Sequence, residues 1–243
     1  MSMKITPLFL AALALAACSG GSDNSSTPAA PVAAASAPAG TAWTTTTAKT
    51  AEGYILGNPN APVKLVEYGS RLCPACRALA EGAYRPLIDQ YVSSGKVSFE
   101  FREFLVHGIA DLPPALLGQC AGTEPFFPIL EQMYAAQPGF NDKLQALTAA
   151  QQQQLQAAKP ADAIKMLARQ MGLIEFMKQR GLPEARADQC LADIALVDKL
   201  TKQTQDKGAD GTVSGTPTVI VNGKKVDGIG WTDVEKALKA AGA

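Results

Sequence analysis

The feature that most limits the folds open to this chain is a pair of cysteines, Cys73-Pro74-Ala75-Cys76, at the junction of a strand and a helix. Val63-Lys64-Leu65-Val66-Glu67-Tyr68 is short, β-branched and apolar, as expected of a strand covered on both faces. From Pro74 to about Ser94 the pattern turns helical. Leu79, Tyr84, Leu87 and Tyr91 supply one buried face, Pro86 is placed to kink the helix, and Gly95 stops it. Val97 to Leu105 then alternates, with Val97, Phe99, Phe101 and Glu103 on one side and Ser98, Glu100, Arg102 and Phe104 on the other, which predicts a second central strand.

At a helix N-terminus, unpaired backbone N–H groups and the helix dipole favour negative charge, so Cys73 is expected to ionise readily and serve as nucleophile and leaving group. Pro74 suits the first turn, because its φ is already helical and its missing N–H would have no intrahelical partner. Two intervening residues keep Cys76 within bonding reach as the resolving thiol. A structural disulfide across so short a loop would constrain little of the unfolded chain. A zinc site normally takes four ligands, whereas the sequence offers one histidine, His107, and no second C-x-x-C. The pattern therefore points to reversible thiol–disulfide exchange, with no metal and no organic cofactor.

From Ile109 to Gly208 no convincing strand occurs. Ile164, Leu167, Ala168 and Met171 recur at helical spacing, and Pro160, Gly172 and Gly181-Leu182-Pro183 punctuate a helical block. β character returns in Thr218-Val219-Ile220-Val221, turns at Asn222-Gly223 and continues in Lys224-Lys225-Val226. A last helix follows, with Thr232 and Glu235 matching a capping box and Val234, Leu238 and Ala241 forming its apolar stripe. The 243 residues are 47% hydrophobic, enough for a proper core, and 22 basic groups balance 22 acidic ones, so nucleic acid is not an expected partner.

The N-terminus reads as an address. Lys4 precedes an apolar run from Ile5 to Ala17, too short for a bilayer span and interrupted by Pro7, so residues 1–17 are expected to be a cleaved export signal. Leu15-Ala16-Ala17-Cys18 resembles the lipobox of bacterial lipoproteins, which implies cleavage before Cys18 and lipidation of that residue. An ordinary secretory peptide is the alternative. Residues 18–50, rich in Ser, Gly, Thr, Ala and Pro, are expected to form a flexible linker. Export implies an oxidising compartment, here the periplasm, with an anchor in the outer membrane favoured over the inner.

Together these features resemble the DsbA-like thiol:disulfide oxidoreductases of the thioredoxin superfamily, from about Tyr54 to the end of the chain. The resemblance is carried by the C-x-x-C, by Gly57-Asn58-Pro59-Asn60-Ala61-Pro62 before the first core strand, and by Gly215-Thr216-Pro217-Thr218 before the hairpin. It implies an α/β, thioredoxin-like fold over 51–108 and 209–243, interrupted by an all-helical domain over 109–208. It implies a cis Pro217 beside the redox pair, with Thr216 before it, leaving backbone groups free to pair with a substrate strand. By the same analogy an acid on the first core strand lies beneath the resolving cysteine. Glu67 shares parity with Val63 and Leu65 and is the candidate, the alternative being a surface-paired carboxylate.

Arg71 and Arg77 flank the pair and are either thiolate partners or solvated side chains. Strongly oxidising members often carry His where this chain has Ala75, so a higher Cys73 pKa and a less oxidising disulfide than theirs are expected. His107 is assigned a structural or solvent-facing place. Cys120 and Cys190 are left for each other in an oxidising compartment, a bridge worth about 4 kcal/mol in the loop-entropy model, against the alternative of two buried thiols. The functional expectation is a periplasmic dithiol oxidase acting on exported protein thiols and recycled by a membrane redox partner. The alternatives are a reductase or isomerase kept reduced by a membrane donor, or a tethered binding module without turnover.

Overall fold

The structure, a computed structural model, describes residues 29–243. The expected signal peptide and Cys18 lie outside the described residues. A six-stranded sheet carries the cysteine pair: β1 (Thr47–Lys49), β2 (Tyr54–Gly57), β3 (Val63–Gly69), β4 (Val97–Glu103), β5 (Thr218–Val221) and β6 (Lys224–Lys225), in the order β1-β2-β4-β3-β5-β6. β3 and β4 are parallel, and every other pair is antiparallel. Val63, Leu65 and Glu67 lie in register with Val97, Phe99 and Phe101, and all six are buried. The two-residue period thus places one carboxylate among apolar neighbours.

Between these strands runs α1 (Pro74–Pro86), which buries Cys76, Leu79, Ala80, Ala83 and Tyr84. The expected single helix to Ser94 does not occur. Pro86 has no N–H to donate to the preceding turn, and after it the chain continues as a π-helical stretch, Leu87–Val92, that keeps Leu87 and Tyr91 buried. Gly57 then packs where only hydrogen fits: φ is +101° and a Cβ would lie 2.7 Å from Cγ1 of Val92.

The helical block comprises α2 (Leu112–Cys120), α3 (Phe126–Gln145), α4 (Ala149–Ala157), α5 (Pro160–Met171), α6 (Leu173–Lys178), α7 (Glu184–Leu191) and α8 (Ile194–Ala209). It has a core of its own, built around Leu116, Leu117, Ile164, Leu167, Met171 and Met177. α5 closes at Gly172 in the left-handed conformation. Cys120 and Cys190 are joined as a disulfide, with Cα atoms 6.1 Å apart. The first turn of α3 reaches into the sheet's core, where Phe126 stacks on Tyr54 at 3.8 Å between ring centroids. The block is thereby fixed to the strands beneath the cysteines.

The hairpin turns at Asn222 (φ +46°) and Gly223 (φ +79°), the two left-handed positions of a primed turn. α9 (Trp231–Ala240) follows and buries Val234 and Leu238. The expected capping box is absent: Gly230 is the N-cap, and Glu235 instead accepts from the Tyr91 hydroxyl at 3.0 Å. The linker expectation also needs correction, because the chain lies on the domain from Ala29 onward. Backbone N–H groups of Ala29, Val32 and Ala35 donate to the carbonyls of Ala240, Gly242 and Ser94, and the Trp43 indole donates to the Ala35 carbonyl at 2.7 Å. Composition alone missed this, since the strap is held by backbone pairing and one aromatic side chain rather than by an apolar run.

Candidate active site

Cys73 is the N-cap of α1, with extended backbone, and Pro74 occupies the first turn. Across from it the Thr216–Pro217 peptide is cis, and the Cys73 Sγ lies 3.3 Å from the Thr216 carbonyl oxygen. The β3–β5 pairing aligns Tyr68 with Thr218, so the ends of these two strands bring residues more than 140 positions apart to one place. Both cysteines of the motif are free thiols; Cys73 is 7% exposed and Cys76 is sealed. Attack from outside is therefore open to the first sulfur and closed to the second.

Their acidities are split. The Cys73 thiol is brought down to about 5, chiefly by the hydrogen bond from the Cys76 thiol; partial burial opposes this, and Thr216 and the backbone N–H groups of Cys76 and Ala75 reinforce it. The Thr216 Oγ1 is buried with no partner in the thiol form, ready to donate once Cys73 ionises. The carbonyl of the same residue favours the neutral thiol, but the donors prevail. The backbone N–H of Ala75 is a donor that any side chain here would leave in place, and with the Cys76 thiol it keeps Cys73 from being an ordinary thiol although no imidazole is present. Cys76 moves the opposite way, pushed far up by burial, by its bond to Cys73 and by Glu67.

Glu67 is 1% exposed, which settles its place on the core face. Burial raises its carboxyl to about 8, against the hydrogen bond that Tyr84 donates to Oε2 at 2.9 Å; the charges of Cys73 and Glu103 raise it further. It is thus a carboxylic acid at neutral pH, and its Oε1 has no hydrogen-bond partner. A protonated carboxyl thus shares the core with Cys76, close enough to influence its acidity.

Sequence patterns did not reveal the framework around the loop. Arg71, expected to approach the thiolate or solvent, is instead fully buried: its Nε donates to Glu103 Oε1 at 2.8 Å and its guanidinium lies 5.0 Å from the centre of the Phe126 ring. Gly118 makes room for it, since a Cβ there would lie 2.4 Å from the guanidinium. Gln137 Nε2 donates to the carbonyls of Arg71 and Cys73, and Asn141 donates to that of Leu72. These α3 amides fix the loop carbonyls. Arg77 is half-exposed and pairs with Glu81 one turn along α1. His107, half-exposed, rests against buried Asp111, which also accepts from Ser70 at 2.7 Å. Among the described residues no group of three or more His, Cys, Asp or Glu side chains is placed to hold a metal ion.

This fold and site are those of the thioredoxin class. The family model described as Thioredoxin matches residues 49–240, and the chain belongs to that family. It is 30% identical to a protein-disulfide isomerase from Novosphingobium aromaticivorans of known structure, with a TM-score of 0.72 over 77% of this chain and 96% of that one. It is 25% identical over 190 residues to a Rickettsia prowazekii protein assigned by name as a protein-disulfide oxidoreductase, covering 77% of this chain and 60% of that protein. A shorter match, 28% over 87 residues, is to disulfide bond formation protein D of Bacillus subtilis, 35% of this chain and 39% of that protein. The chain spans about three fifths of the length of the Rickettsia relatives. The α-DsbA1 of Wolbachia pipientis shares the fold, with a TM-score of 0.61 at 18% identity.

Proposed function

We propose that this protein is a thiol:disulfide oxidoreductase that oxidises exported proteins in the periplasm, anchored to a bacterial membrane through a lipid on Cys18 and reoxidised by a membrane redox partner. The observation that carries the reading is the division of labour between the sulfurs: Cys73 is reachable and acidic beside cis Pro217, and Cys76 is enclosed and held as a thiol above Glu67. A substrate thiolate attacks Cys73 Sγ in the Cys73–Cys76 disulfide. The sulfur–sulfur bond breaks, Cys76 leaves and takes a proton from Glu67, and a mixed disulfide remains at Cys73. A second substrate thiolate attacks the substrate sulfur, and Cys73 departs as a thiolate. Two electrons have passed to the protein and the substrate holds a disulfide. Thr216 and Pro217 present the extended backbone against which a substrate strand pairs.

Direction follows from acidity. A low Cys73 pKa stabilises the reduced protein and makes its disulfide more oxidising. The reduction potential is accordingly expected between the roughly −270 mV of thioredoxin and the roughly −120 mV of the strongest oxidants, less oxidising than the latter as Ala75 implies. Its pH dependence carries the same signature. Below about 5 reduction consumes two protons, and above it Cys73 stays a thiolate and only one is consumed. Redox titration against glutathione should give a slope of about −30 mV per pH unit at neutral pH, steepening to about −59 below the Cys73 pKa. A potential near −270 mV with the steep slope persisting through neutrality would instead support the second reading, an isomerase or reductase, which the Novosphingobium relative and Ala75 favour.

A further inference from the structure

The redox pair and the entry of the N-terminal strap lie at opposite poles of the sheet. β3 runs from Val63 toward Cys73, and β4, parallel to it, starts beside Val63. The hairpin turn is at the Val63 end too, where the N–H of Lys64 donates to the Asn222 side chain and its carbonyl accepts from the Asn222 N–H. Ala29, bonded to Ala240, lines a groove of about 470 Å³ that opens at this pole beside Lys224 and Lys236 and runs along the sheet edge to Lys225, which also lines the depression around Thr216 and Pro217. Seven strand residues at about 3.3 Å each separate that pole from the cysteine loop by roughly 20 Å. Lys64 and Lys96, at the starts of the two parallel strands, add to the basic end.

Asp227 and Asp233 also line the groove, leaving three lysines against two carboxylates there, and five against two with Lys64 and Lys96. Among the described residues none of these five lysines forms an ion pair, in a chain whose overall charge is zero. We infer that this lysine-bearing pole rests on an anionic phospholipid surface, so that the anchored protein stands with its cysteine face turned away from the membrane. The inference rests on the lipid anchor proposed above. From Cys18 to Ala29 an extended chain spans at most about 40 Å, so the domain stays within reach of the bilayer and the lysines, not the tether, decide which pole meets it. Each lysine near an anionic surface is worth about 1 kcal/mol, an effect that fades with salt. The face offered outward is one that meets soluble exported polypeptides, and a membrane partner must reach up to it.

Amine footprinting of the lipidated protein tests this, on phosphatidylcholine vesicles with and without about a third phosphatidylglycerol. Acetylation of Lys224 and Lys236 is expected to fall on the order of fivefold on the anionic vesicles, while Lys178 and Lys202 of the helical block label equally on both. Replacing Lys224 and Lys236 by glutamine should restore labelling of Lys64 and Lys96 to the neutral-vesicle level, with Cys73 alkylation unchanged throughout. Equal labelling on the two vesicles, or protection of Cys73 instead, overturns the orientation while intact mass still shows lipid on Cys18. Absence of that lipid mass removes the anchor itself and the orientation with it.

Discussion

Replacing Cys73 by serine is expected to abolish disulfide transfer, because no other accessible sulfur exists at the site and the hydroxyl does not form the mixed disulfide. Replacing Cys76 by serine has a different signature. Cys73 can still be joined to a substrate sulfur, but nothing within the protein displaces the adduct, so a covalent complex should accumulate and be released by added thiol. Cys120 and Cys190 are tied to each other, so the trapped species should be joined at Cys73 alone. The checks are turnover of a model dithiol peptide for the Cys73 variant and, for the Cys76 variant, mass spectrometry after adding the disulfide form of that peptide, whose sulfur–sulfur bond the Cys73 thiolate opens to give the mixed disulfide and one peptide thiolate. Turnover by the Cys73 variant would falsify the exchange mechanism.

The second large effect is on stability. Arg71→Met removes a cation that is 1% exposed and leaves Glu103, 4% exposed, without its partner. Breaking a buried pair from one side typically costs about 3–5 kcal/mol. Burial already raises the Glu103 pKa above its ordinary value, with Arg71 pulling it back, so removing Arg71 lets the acid rise further. A raised carboxylate pKa destabilises the fold above the unfolded value, so the variant's deficit should widen as pH rises above the ordinary carboxylate range and narrow in acid, where Glu103 is neutral in both states. The double change Arg71→Met, Glu103→Leu should recover most of the loss in urea unfolding. If it recovers none, the guanidinium's contacts with Phe126 and the Met133 sulfur outweigh the charge.

Much of this was visible in the residues alone, where local period or backbone chemistry decides. Strand parity placed Glu67 with Val63 and Leu65, and the strand-to-helix junction placed Cys73 at the cap. Long-range contacts were not visible. Arg71 looks like any exposed cation beside a loop until Gly118 and Glu103, 47 and 32 positions away, close around it. Tyr84 read as one apolar position on a helix face, and nothing local says that its hydroxyl meets Glu67. Gln137 and Asn141 sit mid-helix with nothing local to mark them, and only the packing of α3 on the loop gives their amides carbonyls to hold. The strap from Ala29 was missed because its backbone bonds leave no mark in composition.

The account stands on the ionisation of one sulfur, and a pH titration of thiolate ultraviolet absorbance in the reduced protein, with Cys73→Ser as blank, measures it directly. The predicted result is a single step at about 5 that the blank lacks, with no second thiolate appearing through neutral pH because Cys76 stays protonated. A Cys73 step near 9, the value of an unperturbed thiol, would contradict it.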